Sequence, residues 1–435
     1  LINEKNVRGK HQLKISVTDY QGKVMEVGTY ETEAAGGEVY GQLLVKDVKI
    51  PVPTAGGLCR IEAKLCKENS VVTTGYDDIL SVNLASNMLD GKGAVWEDGN
   101  ALQNFLKGKT KEAVAAYEDN LGKLDWIMVA RPPKKDQLTM VPMEALRSAD
   151  GKPGLDVVYY EDMEFQKEVY HEVAKVVNLS AIEGATPSPF VYMLDGYGIK
   201  WSGKVLPSVS GEYTIIPQSN DRSMIEVFVN GKKIYEITRK KEHLGDGKVY
   251  LEGGKSADIE IRFRHPRSNA RCRLDWAVPN DKMPDAQRLM ERAVNDGTKI
   301  FIIQSADEWS EFIAANSKAV FKDKFFVGTN WLGGVMFNKP HDIFKELPVG
   351  NALNWPYQAL IHTGVERMGL VMEGEELLVG AYHTYPMAIG TAMGIVPMGK
   401  GSVLFSTLDI YGNIINDSAA GLVAKKLIFN MIDFN

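Results

Sequence analysis

Apolar and polar positions alternate with period two through the first part of the chain and again through its middle. Between and after those stretches the apolar positions recur at helical spacing. Leu13, Ile15 and Val17 alternate with polar neighbours, Gln21-Gly22 supplies a turn, and Val24 resumes strand-like sequence. Tyr40 to Val48 and Leu58 to Leu65 are further β-rich stretches, with Pro51, Pro53 and Gly56-Gly57 between them. Arg60, Glu62 and Lys64 oppose Ile61, Ala63 and Leu65, which predicts one wet and one buried face. Short strands at this spacing predict an immunoglobulin-like β-sandwich over residues 1–84.

From residue 85 the period changes. Asp98 precedes Ala101, Leu102, Phe105 and Leu106 at helical spacing and is expected to cap that helix. Trp126-Ile127-Met128-Val129-Ala130 is a continuous apolar run, as in a parallel strand covered on both faces. The same grammar resumes much later. Ala286, Leu289, Met290 and Ala293 form a helical stripe ended by Gly297, followed by the buried run Ile300 to Ile303 and a helix from Asp307 to Ala315. Gly399-Lys400-Gly401 turns into Val403-Leu404-Phe405, and Leu422, Val423, Lys426, Leu427 and Met431 lie on a last helix. This alternation predicts a doubly wound, mostly parallel α/β domain over 85–150 and 281–435. Residues 151–280 are β again: Ile225, Val227 and Val229 alternate, Asn230-Gly231 is a strong hairpin signal, and Ile259, Ile261 and Phe263 alternate once more. An all-β block inside an α/β pattern predicts an inserted domain.

At 435 residues the chain is long enough for several domains, and 44% hydrophobic with 24% charged residues is a globular composition. Fifty basic against 56 acidic side chains leave a net charge of -6, which argues against capture of nucleic acid or an anionic membrane. No apolar run approaches the roughly 18 residues of a spanning helix. Three cysteines are too few for a disulfide framework, and the parity of Cys59 and Cys66 predicts opposite faces of one strand. Leu1-Ile2-Asn3 carries neither an initiator Met nor a basic-then-apolar leader, so a piece of a longer precursor is expected.

Candidate chemistry is sparse. Gly108-Lys109-Thr110 and Gly254-Lys255-Ser256 end like phosphate loops, but Gln103 and Val249 stand where the first glycine is required. Gly196-x-Gly198, Gly245-x-Gly247 and Gly399-x-Gly401 lack the third glycine of a dinucleotide fingerprint. No serine sits in a Gly-x-Ser-x-Gly elbow. The β/α alternation is similar to the amidotransferase-like flavodoxin class, whose nucleophile is a cysteine at a strand-to-helix turn. No cysteine lies in the α/β segments here. His171-Glu172 is followed by Lys175 where a zincin needs its second histidine. The expectation is therefore no catalytic residue, no metal and no cofactor.

Three regions carry a resemblance. Gly37-Glu38-Val39-Tyr40-Gly41-Gln42-Leu43-Leu44 through Gly75-Tyr76-Asp77-Asp78-Ile79 resembles the β-sandwich that follows the barrel in bacterial family 2 glycoside hydrolases of the β-galactosidase type. Gly399 to Leu408, with Lys426-Leu427-Ile428-Phe429-Asn430, resembles the carboxy-terminal amidotransferase-like domain of such enzymes. The insert resembles the protective-antigen type of β-sandwich, through Gly154 to Tyr160, Trp201-Ser202-Gly203, Gly211-Glu212-Tyr213-Thr214, Asn220-Asp221, Val229-Asn230-Gly231-Lys232 and Leu274-Asp275-Trp276.

The resemblance implies a non-catalytic, carbohydrate-binding accessory region of a periplasmic or extracellular enzyme acting on β-linked saccharides. The catalytic barrel of the same precursor would be its partner. In calcium-dependent members of the insert family adjacent aspartates hold the ion. Here the pair is Asn220-Asp221, followed by Arg222, which removes a charge and adds the wrong one. A direct sugar site would use Asn220 and Asp221 as hydrogen-bonding groups and Trp201 as an apolar platform. The alternative is a stand-alone glycan-binding or adhesion protein. A third reading places a hydrolase in the crevice beyond the strand ends, lined by Asp98, Asn330 and Trp331.

Overall fold

The computed structural model describes all residues except 38, 54–55, 69, 85–87, 134–137, 182–185, 220–222, 268–269, 280–283, 328–333, 351, 363–367, 385–386 and 435. Four antiparallel strands open the chain: β1 (Gly9–Thr18), β2 (Val24–Ala34), β3 (Gly57–Lys67) and β4 (Ser70–Ser81), paired in the order β2-β1-β3-β4. Ile15 and Val17 of β1, Ala34 of β2 and Cys59, Leu65 and Cys66 of β3 are among its buried positions. Among the described residues this unit is one sheet, not the two facing sheets of a sandwich. The reason is local. Tyr40 to Val48 forms no strand: Gly41 bridges Ile2, and the Gln42 side chain accepts from the Ala35 N–H and donates to the Glu33 carbonyl. The segment is thus tied across the sheet's end instead of pairing along it. A register shift between Leu65 and Cys66 breaks the parity of β3, and Cys66 is buried as Cys59 is.

The chain continues through β5 (Gly93–Glu97), α1 (Ala101–Leu106), β6 (Ala115–Ala116) and β7 (Trp126–Ala130), then departs into the insert. One insert sheet is built from β9 (Leu146–Arg147), β10 (Leu155–Tyr160), β11 (Glu168–Ala174), β13 (Tyr197–Val205), β15 (Met224–Val229), β16 (Lys232–Ile237), β17 (His243–Leu244) and β19 (Ala257–His265). The other holds β8 (Thr139–Met140), β12 (Asn178–Ala181), β14 (Gly211–Ser219), β18 (Lys248–Leu251) and β20 (Ala270–Ala277). Their orders are β11-β10-β13-β19-β15-β16-β17, with β9 on β13, and β12-β20-β14-β18, with β8 on β20. Val157, Tyr213, Ile261, Phe263, Leu274 and Trp276 fill the space between the sheets. Asn230 and Gly231 both take left-handed φ (48° and 75°) between β15 and β16, the geometry that a two-residue hairpin demands. Because β8 and β9 pair inside these sheets, the sandwich begins before residue 151.

The chain returns through α2 (Ala286–Asp296), β21 (Lys299–Ile302), α3 (Ala306–Ala315), β22 (Val320–Phe326), β23 (Gly334–Asn338) and α4 (Gln358–His362). It ends with β24 (Met368–Glu373), β25 (Glu376–His383), β26 (Ala388–Met398), β27 (Gly401–Ser406), α5 (Ile410–Asn413) and α6 (Ala419–Asp433). The parallel strands lie in the order β6-β5-β7-β21-β27, and α2 and α3 cover one face while α1 and α6 cover the other. Trp126 to Ala130 is buried throughout, as its unbroken apolar run requires. The sheet then continues past β27 with antiparallel β26, β24 and β22; β25 also pairs with β26, and β23 pairs with β25. The sheet is therefore mixed where mostly parallel strands were expected. A tight hairpin at Gly399-Lys400 joins β26 to β27, and such a turn permits only antiparallel pairing. Gly399 has φ +57°, and a Cβ there would meet the Val294 carbonyl oxygen at 2.4 Å.

Candidate functional site

On the insert, a cleft of about 670 Å³ opens between the turn after β10, the start of β15, the end of β16 and the end of β19. Met163, Met224 and Pro266 give it apolar surface, and Glu164, Arg239, Lys241 and Arg264 give it charge. Arg264 is fixed from three sides. Its guanidinium donates to Glu226 at 2.8 Å and to the Met163 carbonyl at 3.1 Å, and it lies 4.7 Å from the centre of the Phe165 ring. Burial pulls the Glu226 carboxyl upward, but hydrogen bonds from Arg264 and Lys233 outweigh it and hold the group below the usual carboxylate range. Arg239, Lys241 and Glu164 are exposed at the rim. Ser223, beneath them, is buried and sits 3.1 Å from His265 Nδ1.

Trp201 does not serve this cleft. It is 3% exposed, packed edge-on against Phe263 in the sandwich core, so the expected stacking platform is corrected to a core residue. The parity of β13 decides this: Trp201 pairs in register with Val157 and Ile261, and all three are buried between the sheets. Asn220 and Asp221 lie outside the described residues, as do Asn330 and Trp331.

A second polar region lies at the carboxyl ends of the parallel strands. Asp98 does not cap α1; Glu97 does, accepting the N–H groups of Leu102 and Gln103 at 3.1 Å each. Asp98 is claimed instead by Arg131 at the end of β7, at 2.5 Å, and by the Thr139 hydroxyl at 2.6 Å. The Arg131 carbonyl accepts from the Trp309 indole at 2.7 Å. Burial raises Glu97 above the usual carboxylate range despite its two backbone donors, and burial likewise raises Glu144 and pushes the neighbouring Tyr411 hydroxyl well up. This cluster of ionisable groups straddles β5 and β7, where the strand order reverses.

Sequence reasoning missed Ser305. It joins β21 to α3 in a left-handed conformation (φ 55°, ψ 34°) and is buried. The two-residue step from the buried run ending at Ile303 to the helix at Ala306 is an ordinary length for a strand-to-helix turn and did not reveal it. Among the described residues no cluster of three or more His, Cys, Asp or Glu is placed to hold a metal, and no helix is long and apolar enough to cross a membrane.

Residues 151–288 match the PA14 domain, a β-sandwich type found in glycosidases and adhesins, and the cleft lies wholly within that span. The anti-sigma-I factor RsgI3 of Acetivibrio thermocellus is similar to this chain, 28% identical over 127 residues. The match takes in 28% of this chain and 19% of the relative, so the chain spans about a fifth of that protein's length. Among solved structures, a β-glucosidase from Kluyveromyces marxianus is 12% identical over 51% of this chain and 29% of its own, with a TM-score of 0.36. The epithelial adhesin 9 A domain of Candida glabrata, solved with Galβ1-3GlcNAc, is 14% identical over 35% of this chain and 89% of its own, with a TM-score of 0.24.

Proposed function

We propose that this chain is a carbohydrate-binding accessory region of a glycoside hydrolase, with the PA14 sandwich as the unit that contacts sugar. The observation that carries this reading is the PA14 match over all the residues that line the cleft. A sugar offers hydroxyls around an apolar C–H face. Methionine and proline surface flanked by Glu164, Arg239, Lys241 and Arg264 suits that mixture. Asn220 and Asp221, which precede Ser223 in sequence, supply further hydrogen-bonding groups in this proposal. The parent is a family 2 enzyme of the β-galactosidase type acting outside the cytoplasm. Its catalytic barrel is the partner, and the α/β unit is an amidotransferase-like scaffold without the family's thiol.

A glycan array probed with the full chain tests the reading, followed by titration of the best ligand. Arg239→Ala with Lys241→Ala should weaken binding about tenfold, or ~1.4 kcal/mol, without altering the circular dichroism of the fold. An empty array, or undiminished binding by the double variant, would overturn it.

A further inference from the structure

At the carboxyl ends of β21 and β27, a narrow cavity of about 30 Å³ separates the sheet from the insert. Gln304, Ser305, Thr407 and Asp409 line it from the sheet, and Asn178 and Arg273 line it from the sandwich. Three of these groups have unspent hydrogen-bonding capacity. Asn178 Oδ1 and Gln304 Oε1 are buried without a hydrogen-bond partner among the described residues. Ser305 is 7% exposed, and its hydroxyl does not cap the helix that it precedes or make another side-chain bond among those residues. Buried polar groups are ordinarily satisfied, so three such groups around one cavity call for an occupant.

Ser305 adds an independent observation. A non-glycine residue held left-handed is strained, and such strain persists where the surroundings impose it. Here it presents a hydroxyl above the strand end into the cavity.

The wall narrows the choice of ligand. Arg273 donates only and is already engaged by Asp275 at 2.7 Å. The two amide oxygens and Asp409 accept, and Ser305 and Thr407 do both. The free groups are mostly acceptors, so an anion is excluded and the occupant must donate. No cluster of three or more His, Cys, Asp or Glu among the described residues is placed to hold a metal ion, whereas a hydroxyl group donates to the amide oxygens and accepts from Ser305. The volume admits about two waters, which is an arm of a molecule and not a sugar ring.

We propose that this seam cavity is a second carbohydrate subsite, taking the exocyclic hydroxymethyl arm of a hexose. It rests on the reading of the chain as carbohydrate-binding, but it is distinct in place from the cleft on the insert. Ligand bound here touches both units and therefore joins the sandwich to the sheet.

The test is titration calorimetry on the full chain with methyl β-galactopyranoside and methyl β-glucopyranoside, each against its 6-deoxy analogue. At least one parent glycoside should bind about tenfold more tightly than its analogue. That preference should vanish in Asn178→Ala and in Ser305→Gly, and persist in the Arg239→Ala/Lys241→Ala double variant of the cleft. Ser305→Gly relieves the left-handed strain, so it should fold at least as stably as the parent, and any loss of discrimination is not a loss of structure. Equal binding of parent and 6-deoxy sugars, absence of saturable binding, or discrimination that survives Ser305→Gly overturns the subsite. A glycan-array signal that depends on Arg239 and Lys241 would in those cases leave the cleft standing.

Discussion

Glu144 shows how much a single side chain can depend on its surroundings. Its Oε2 is buried with no hydrogen-bond partner among the described residues, and burial raises its carboxyl above the usual range against the pull of Arg147. A folded-state value above the unfolded one means that the native chain holds this proton more tightly. The group's favourable contribution is therefore full below the unfolded value, near pH 4, and is lost as pH rises through the folded one. Glu144→Gln stays neutral throughout. Its melting temperature relative to the parent should climb between pH 4 and pH 8, by differential scanning fluorimetry; a flat difference would mean that the carboxyl is not desolvated. Residue roles of this kind were poorly legible in the sequence. Trp201 looked like a platform because a tryptophan beside Gly203 has no fixed face until its strand pairs, and pairing with β10 and β19 turned it inward. Asn230-Gly231 was legible because its φ angles are demanded locally, whatever the rest of the chain does.

Among elements, one ion pair links the chain just past the ends of β5 and β7. Asp98 and Arg131 have side chains 11% and 7% exposed, and they tie together two strand ends and the first strand of the insert through Thr139. Removing one partner leaves the other charge buried. Asp98→Ala should destabilise the chain by about 3–5 kcal/mol in urea unfolding, and Asp98→Ala with Arg131→Met should recover part of the loss. A loss below ~1 kcal/mol would place the pair among solvent-screened bridges. Asp98 was expected to cap α1 from spacing alone. The helix is capped by Glu97 one residue earlier, since the guanidinium across the strand gap competes for Asp98 and no local pattern reveals that competitor. The Trp126–Ala130 strand and the helix stopped by Gly297 at φ 79° were legible, because burial on both faces and a left-handed cap leave marks in the local sequence. The antiparallel half of the sheet was not, because an apolar strand carries no mark of its neighbour's direction.

At the scale of the whole molecule, the change in period marked where runs of strands give way to alternating strands and helices and return, but it did not mark the joints. The insert's first strand, Thr139–Met140, is two residues long and gains its identity only by pairing with Trp276 and Asp275. The proposal that this region is an accessory predicts that the full chain will not turn over aryl β-galactosides. Measured turnover that a single carboxylate substitution within the chain abolishes would refute it.

That same pairing of Thr139 with Trp276 sets the first and last strands of the sandwich shoulder to shoulder. A module whose entrance and exit share one doorway is a cassette: it can be cut out and the host rejoined by a short bridge from β7 to α2, with the parallel ladder left in register. The host's elements would then stand without their visor, and the carboxyl edge that the sandwich now roofs would face open water.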